Sequence, residues 1–129
     1  MGFFKTKQPI LEPGRAVWPT QNLTAASTGT LVSGYGVTVI TSSAAKTYRL
    51  AAPARAGIFK EVIFRPTVGA NKISLIPGTT AGTFYNSTKG TLQTTTGQNA
   101  QPAPVVRLYA VSSTKWALLG KTTGITIQN

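Results

Sequence analysis

The sequence predicts an all-β fold: a β-sandwich or jelly-roll-like barrel of about seven to nine strands, with an extended N-terminal arm. Three observations predict it. Short runs rich in β-branched and aromatic residues recur along the chain, each bounded by Gly, Pro, Asn, Ser or Thr. No stretch keeps an apolar helical repeat over about three turns. At 129 residues, 41% of them hydrophobic, the chain is long enough to bury one core but not two.

Residues 1–25 stand apart from the rest. Pro9, Pro13 and Pro19 break any regular element, because each lacks an amide donor and restricts the residue before it. Lys5, Lys7 and Arg15 alternate there with Phe3, Phe4, Ile10, Leu11, Val17 and Trp18. A solvated tail rarely carries so many large apolar groups. We therefore expect an arm that packs on a partner, with Phe3, Phe4, Lys5, Lys7, Arg15 and Trp18 as its contact residues.

Residues 26–129 form the expected sandwich. In "GYGVTVIT", Tyr35, Val37 and Val39 alternate against small or hydroxyl residues. "GIFKEVIFRP" puts Ile58, Val62 and Phe64 on one face and Phe59, Glu61, Ile63 and Arg65 on the other. Between these runs lies "LAAPARAG". Pro53 disfavours a helical Ala52, Gly57 ends any turn, and six residues are too few for a stable helix. The stretch reads as a corner. Thr67 to Asn71 joins the next run, "NKISLIP", which pairs Ile73 with Leu75 on one face. The polar stretch from Pro77 to Gln101 offers Phe84, Tyr85 and Leu92 as its core residues, and it is expected to hold one or two short strands. Within it "TLQTTTGQNAQP" reads as the most mobile part. "APVVRLYAV" and "KWALLG" flank the polar link Ser112-Ser113-Thr114, so they should form an antiparallel hairpin, and "GITIQ" closes the series.

Charge and inventory then exclude whole classes of function. Thirteen Lys and Arg face two Glu, with no Asp and no His, for a net charge of +11. Internal salt bridges can use only Glu12, Glu61 and the C-terminal carboxylate. Uncompensated charge of one sign favours an oppositely charged partner. With no Cys, disulfides and thiolate metal sites are excluded. No apolar run reaches the length of a signal peptide or a membrane-spanning helix, and no membrane partner is expected. Met1-Gly2 with Thr6 fits the short myristoylation pattern, and Asn22 and Asn86 sit in glycosylation sequons that have no secretory context.

Catalysis fails on residue types. Without His, Cys or Asp the commonest bases, nucleophile activators and metal ligands are missing. A Ser–Lys dyad would have to come from Ser43 and Lys46, in a turn, and no Gly-rich phosphate loop precedes a helix. We expect no enzyme and no cofactor. A nucleic-acid-binding β-barrel is the less favoured alternative: Phe59, Phe64, Tyr85, Tyr109 and Trp116 could stack bases, but no two basic residues are adjacent. Arg107 sits mid-strand between Val106 and Leu108. It either covers apolar surface with its stem or forks a carboxylate, and in so acid-poor a chain an external carboxylate is the favoured partner.

"TYRLAAPARAGIFKEVIF", then "KISLIPGT", a Gly/Thr/Asn-rich stretch and "VVRLYAVSSTKWALLGK" together resemble small β-domains of tailed-bacteriophage virions. The resemblance spans roughly residues 46 to 120. The corner, Gly57 and Trp116 correspond, while the proline follows Leu50 by three residues rather than directly. It implies a capsid decoration (cement) protein, with a tail- or fibre-associated domain as the alternative. It further implies a homotrimer, the major capsid protein as partner, and residence on the virion surface after synthesis in the host cytoplasm. It carries no catalytic residues.

Overall fold

The computed structural model describes residues 18–24, 30–42, 44–66, 72–78, 83–87, 89–95 and 103–128. They contain ten strands and no helix. These are β1 (Thr20–Thr24), β2 (Leu31–Val32), β3 (Gly36–Ser42), β4 (Lys46–Leu50), β5 (Phe59–Pro66), β6 (Ile73–Pro77), β7 (Thr91–Thr94), β8 (Val105–Ala110), β9 (Trp116–Lys121) and β10 (Ile125–Gln128). One sheet runs β1-β3-β5-β8-β9 and the other β10-β7-β6-β4-β2. We call them sheet A and sheet B. The fold is all-β and sandwich-like, as the sequence predicts, with one strand more than the upper expectation. The excess has a plain source: β1 lies inside the segment assigned to the arm, and β2 is only two residues long.

The chain alternates between sheets through its first six strands. In sheet A, β1 lies parallel to β3 and β3 to β5; in sheet B, β2 lies parallel to β4 and β4 to β6. A parallel neighbour needs a long crossover. Here each crossover is itself a strand of the opposite sheet, so the chain winds as a flattened coil. After β6 the pairing turns antiparallel: β7 returns beside β6, β8 beside β5, and β9 and β10 close the outer edges. Leu108 opposite Leu118 and Ala110 opposite Trp116 confirm the hairpin read from the polar link.

The core lies between the two sheets. Ile40, Val62, Phe64, Val106, Leu108, Ala110 and Trp116 come from sheet A, and Val32, Tyr48, Leu50, Ile73, Leu75, Leu92 and Ile125 from sheet B. Phe84 joins them from the segment before β7. The period-two pattern read from β5 holds: Val62 and Phe64 are buried, Phe59 and Arg65 exposed. In β3 the buried phase is Gly36, Thr38, Ile40 and Ser42, leaving Val37 and Val39 half-buried on the outside. Two local expectations fail. Thr91–Thr94, read as the start of a mobile loop, is strand β7, because Leu92 fills the core and buried Thr94 accepts the Ile73 amide at 3.0 Å. Tyr85, read as core, is 66% exposed.

The corner forms as predicted. Residues 51–58 contain bends and a turn but no helix, and Gly57 takes φ 89°, a backbone that disfavours side chains. Ala51 and Ala54 donate to the Val32 and Gly34 carbonyls at 2.8 and 3.1 Å, and Gly57 donates to Ala110 at 2.8 Å. The Trp116 indole donates to the Ala51 carbonyl at 2.9 Å, which ties the corner to the hairpin.

Candidate docking face

Sheet A and sheet B present different faces to solvent. The outward residues of sheet B are mostly polar: Thr47 and Arg49 on β4, Ser74 on β6, Thr91 and Gln93 on β7, Thr126 and Gln128 on β10. Many bond to one another; Gln93 donates to Ser74 Oγ at 2.9 Å, and Gln128 bonds Gln93. Sheet A carries many apolar residues outside as well as inside, alongside Thr20, Asn22, Glu61, Arg65 and Arg107. Val37 and Val39 on β3, Phe59 and Ile63 on β5, Val105 and Tyr109 on β8, and Ala117 and Leu119 on β9 all stand on the outer side. A sheet with one solvated face normally alternates apolar and polar residues, whereas a sheet covered on both sides reads as continuous apolar runs. "GVTVI", "EVIF" and "VVRLYA" approach the second kind, with apolar residues in both phases and Thr38, Glu61 and Arg107 as the interruptions.

The register sets the geometry of this face. Thr20, Val37, Glu61, Arg107 and Gly120 form one row across the five strands. At its centre Arg107 Nε donates to Glu61 Oε2 at 2.9 Å, with the Arg107 side chain 72% exposed and Glu61 31%. Arg107 therefore has an internal carboxylate, contrary to the expectation of an external one, because the β5–β8 register sets the two residues directly opposite. Beside them the Phe59 and Tyr109 rings stack tilted, 5.1 Å apart. The β8–β9 pairing slips between Arg107 and Leu108, and Leu119, in that irregularity, is 57% exposed. Trp18, Val37, Phe59, Leu119 and the ion pair line a groove of about 410 Å³.

Of the residues expected to contact a partner, Trp18 is at the rim of this groove and 60% exposed. Phe3, Phe4, Lys5, Lys7 and Arg15 lie outside the described residues. The aromatics considered for base stacking do not share a surface. Phe64 and Trp116 are core, Phe59 and Tyr109 belong to sheet A's outer face, and Tyr85 stands before β7.

A second cluster escaped sequence reading altogether. Lys60, on the inner face of β5, is 1% exposed. Its ammonium donates to Thr38 Oγ1 at 2.6 Å, the Tyr35 carbonyl at 2.9 Å and Ser33 Oγ at 3.1 Å. Gln21 of β1 backs the cluster: its Oε1 accepts from Thr38 Oγ1 at 2.9 Å and from the Ser33 amide at 3.0 Å. Burial lowers the Lys60 pKa from 10.5 to about 8. A serine 3.1 Å from a lysine of lowered pKa meets the distance rule for a catalytic dyad. The hydrogen bonds argue otherwise. Three oxygens take the three ammonium protons, and Ser33 Oγ donates its own to the Tyr35 carbonyl at 3.1 Å. With every proton engaged, the cluster is a pin joining β1, β3, β5 and the β2–β3 link. The dyad considered from sequence, Ser43 with Lys46, has Ser43 outside the described residues. Searches against protein-family models, curated proteins and solved structures find no match for this chain.

Proposed function

We propose that this chain is a non-enzymatic structural protein of a bacteriophage virion: a decoration or cement protein that binds the outer capsid surface and self-associates there as a small cyclic oligomer. The observation that carries the reading is the distribution of charge. Glu61 is the one acidic side chain among the described residues, and Arg107 takes it. Arg55, Arg65, Lys72, Lys89, Lys115 and Lys121 are all exposed with no acidic side chain among those residues to pair with. Such a surface gains most from a partner that supplies carboxylates in a repeating array, as an acidic capsid lattice does. The β-sandwich and the resemblance to virion β-domains point the same way.

Capsid co-sedimentation of the full chain across a salt series tests the reading. Binding should weaken steeply between about 0.1 and about 1 M salt, as the screening length falls from about 10 to about 3 Å. Replacing Phe3, Phe4 and Trp18 by Ala should remove a salt-resistant remainder more fully than neutralising Lys5 and Lys7, since buried aromatics dominate interface energy. No binding to undecorated capsids at low salt would overturn the proposal.

A further inference from the structure

The geometry points to the outer face of sheet A as the surface through which copies of this chain associate, with Arg107 of each copy reaching Glu61 of the next. This deepens the self-association part of the function proposed above and is independent of the capsid.

Four features of the face select a second copy over other occupants. The first is its composition: Val37 and Val39 on β3, Ile63 on β5, and Val105 and Tyr109 on β8 put apolar side chains on the outer side as well as in the core, and Phe59, Leu119 and Trp18 are each more than half exposed. A solvated sheet has no use for that pattern. The second is its charge. Two molecules carrying +11 each repel wherever their basic surfaces meet. Sheet A's outer face carries Glu61 paired with Arg107 at its centre and Arg65 further along β5, so it holds the one acidic side chain among the described residues and approach there meets less repulsion than at the basic surface elsewhere. An acidic partner, by contrast, would be drawn to the basic surface elsewhere.

The third feature is self-complementarity. Glu61 and Arg107 sit side by side in one row, and 72% of the Arg107 side chain remains exposed beyond the internal bond. The guanidinium has five N–H donors and uses only Nε on Glu61, so the rest can reach a neighbour's carboxylate. A face that offers both partners satisfies itself reciprocally when two copies meet across a twofold axis, Arg107 of each reaching Glu61 of the other. The fourth is size. Five strands about 4.8 Å apart and about six residues long at about 3.3 Å each give a flat footprint of roughly 500 Å²; side-chain relief brings this toward the roughly 800 Å² per partner of a stable interface.

Sedimentation velocity on the full chain is the test, with circular dichroism on every variant to show that it stays folded. The native chain should sediment as an oligomer. Glu61→Arg and Arg107→Glu should each weaken association at least about tenfold. The double exchange, Glu61→Arg with Arg107→Glu, should restore it, because the pair is again self-complementary. Phe59→Lys with Leu119→Lys should give a folded monomer and covers the case in which a charge variant fails to fold. A native monomer up to about 100 µM overturns the inference. So do single exchanges that leave the oligomer intact, a double exchange that fails to restore it, or an oligomer lost only when residues 1–17 are deleted. A monomer that still binds capsids would sink this inference while sparing the capsid proposal.

Discussion

Lys60 is the residue whose environment departs furthest from expectation. Its ammonium faces only uncharged acceptors, from Ser33, Tyr35 and Thr38. Neighbouring Glu61 pairs with Arg107 on the opposite side of the sheet. Its folded pKa of about 8 lies below the ordinary 10.5, so between those values the unfolded chain holds more protons than the folded one. Stability must then rise with pH across that window, the full cost of burying the charge being felt below about pH 8. Lys60→Met should remove that part of the slope while keeping the contribution from falling net charge. Urea melts of both proteins from pH 7 to about pH 10.5 would show it, and identical slopes would refute it. Tyr48 presents the opposite case, for its buried hydroxyl has no hydrogen-bond partner. An unpaired buried hydroxyl costs about 1–3 kcal/mol, so Tyr48→Phe should stabilise the fold by about 1 kcal/mol, read as a higher urea midpoint at unchanged m.

At the scale of elements, two glycines separate strain from collision. Gly57 ends the corner at φ 89°, with nothing within 4 Å of the position a Cβ would take. Gly57→Ala should therefore cost only the left-handed backbone penalty, about 1–2 kcal/mol. Gly36 opens β3 at φ 69°, and a Cβ there would lie 2.3 Å from the Pro19 carbonyl oxygen, which accepts the Val37 amide at 2.9 Å. Gly36→Ala should cost more than Gly57→Ala and push β1 away. Hydrogen exchange would register this as selective loss of protection across Thr20–Thr24 and their β3 partners. The hairpin supplies a third case. Trp116→Phe removes the donor to the Ala51 carbonyl and part of a buried side chain, at about 2–3 kcal/mol by thermal or urea melts.

For the whole molecule, the charge imbalance acts against its own fold. A net charge of +11 on a chain this short is self-repulsive, and salt screens it. The melting temperature should climb by several degrees as salt rises from about 0.01 to about 0.5 M. The capsid association proposed above should weaken over the same range, because one screening that relieves internal repulsion also dulls attraction to an acidic lattice. A melting temperature that falls with salt would mean that net repulsion between the basic groups does not limit the fold's stability.

How far the sequence reaches depends on the range of the interactions involved. The β5 alternation, the Pro53 corner and the Ser112–Thr114 link were legible because each is set by residues within about ten positions. The apolar residues on the outer side of sheet A were also present in the chain, interleaved with Glu61, Arg65 and Arg107, though only the sheet gathers them on one face. What only the tertiary structure decided is long-range. Thr20 meets Val37 and Lys46 meets Ile73 through parallel pairings whose crossovers are strands of the other sheet, and no local pattern encodes that path. β7 became a strand because β6 and β10 flank it. Lys60 shares a strand face with Val62 and Phe64, and nothing local in the sequence marks where its charge would go. It is buried because Ser33, Tyr35 and Thr38 bring three oxygens to its ammonium from distant positions. Local chemistry set which segments extend and where they turn; the folded chain decided which side of each strand met oxygen, apolar core or solvent.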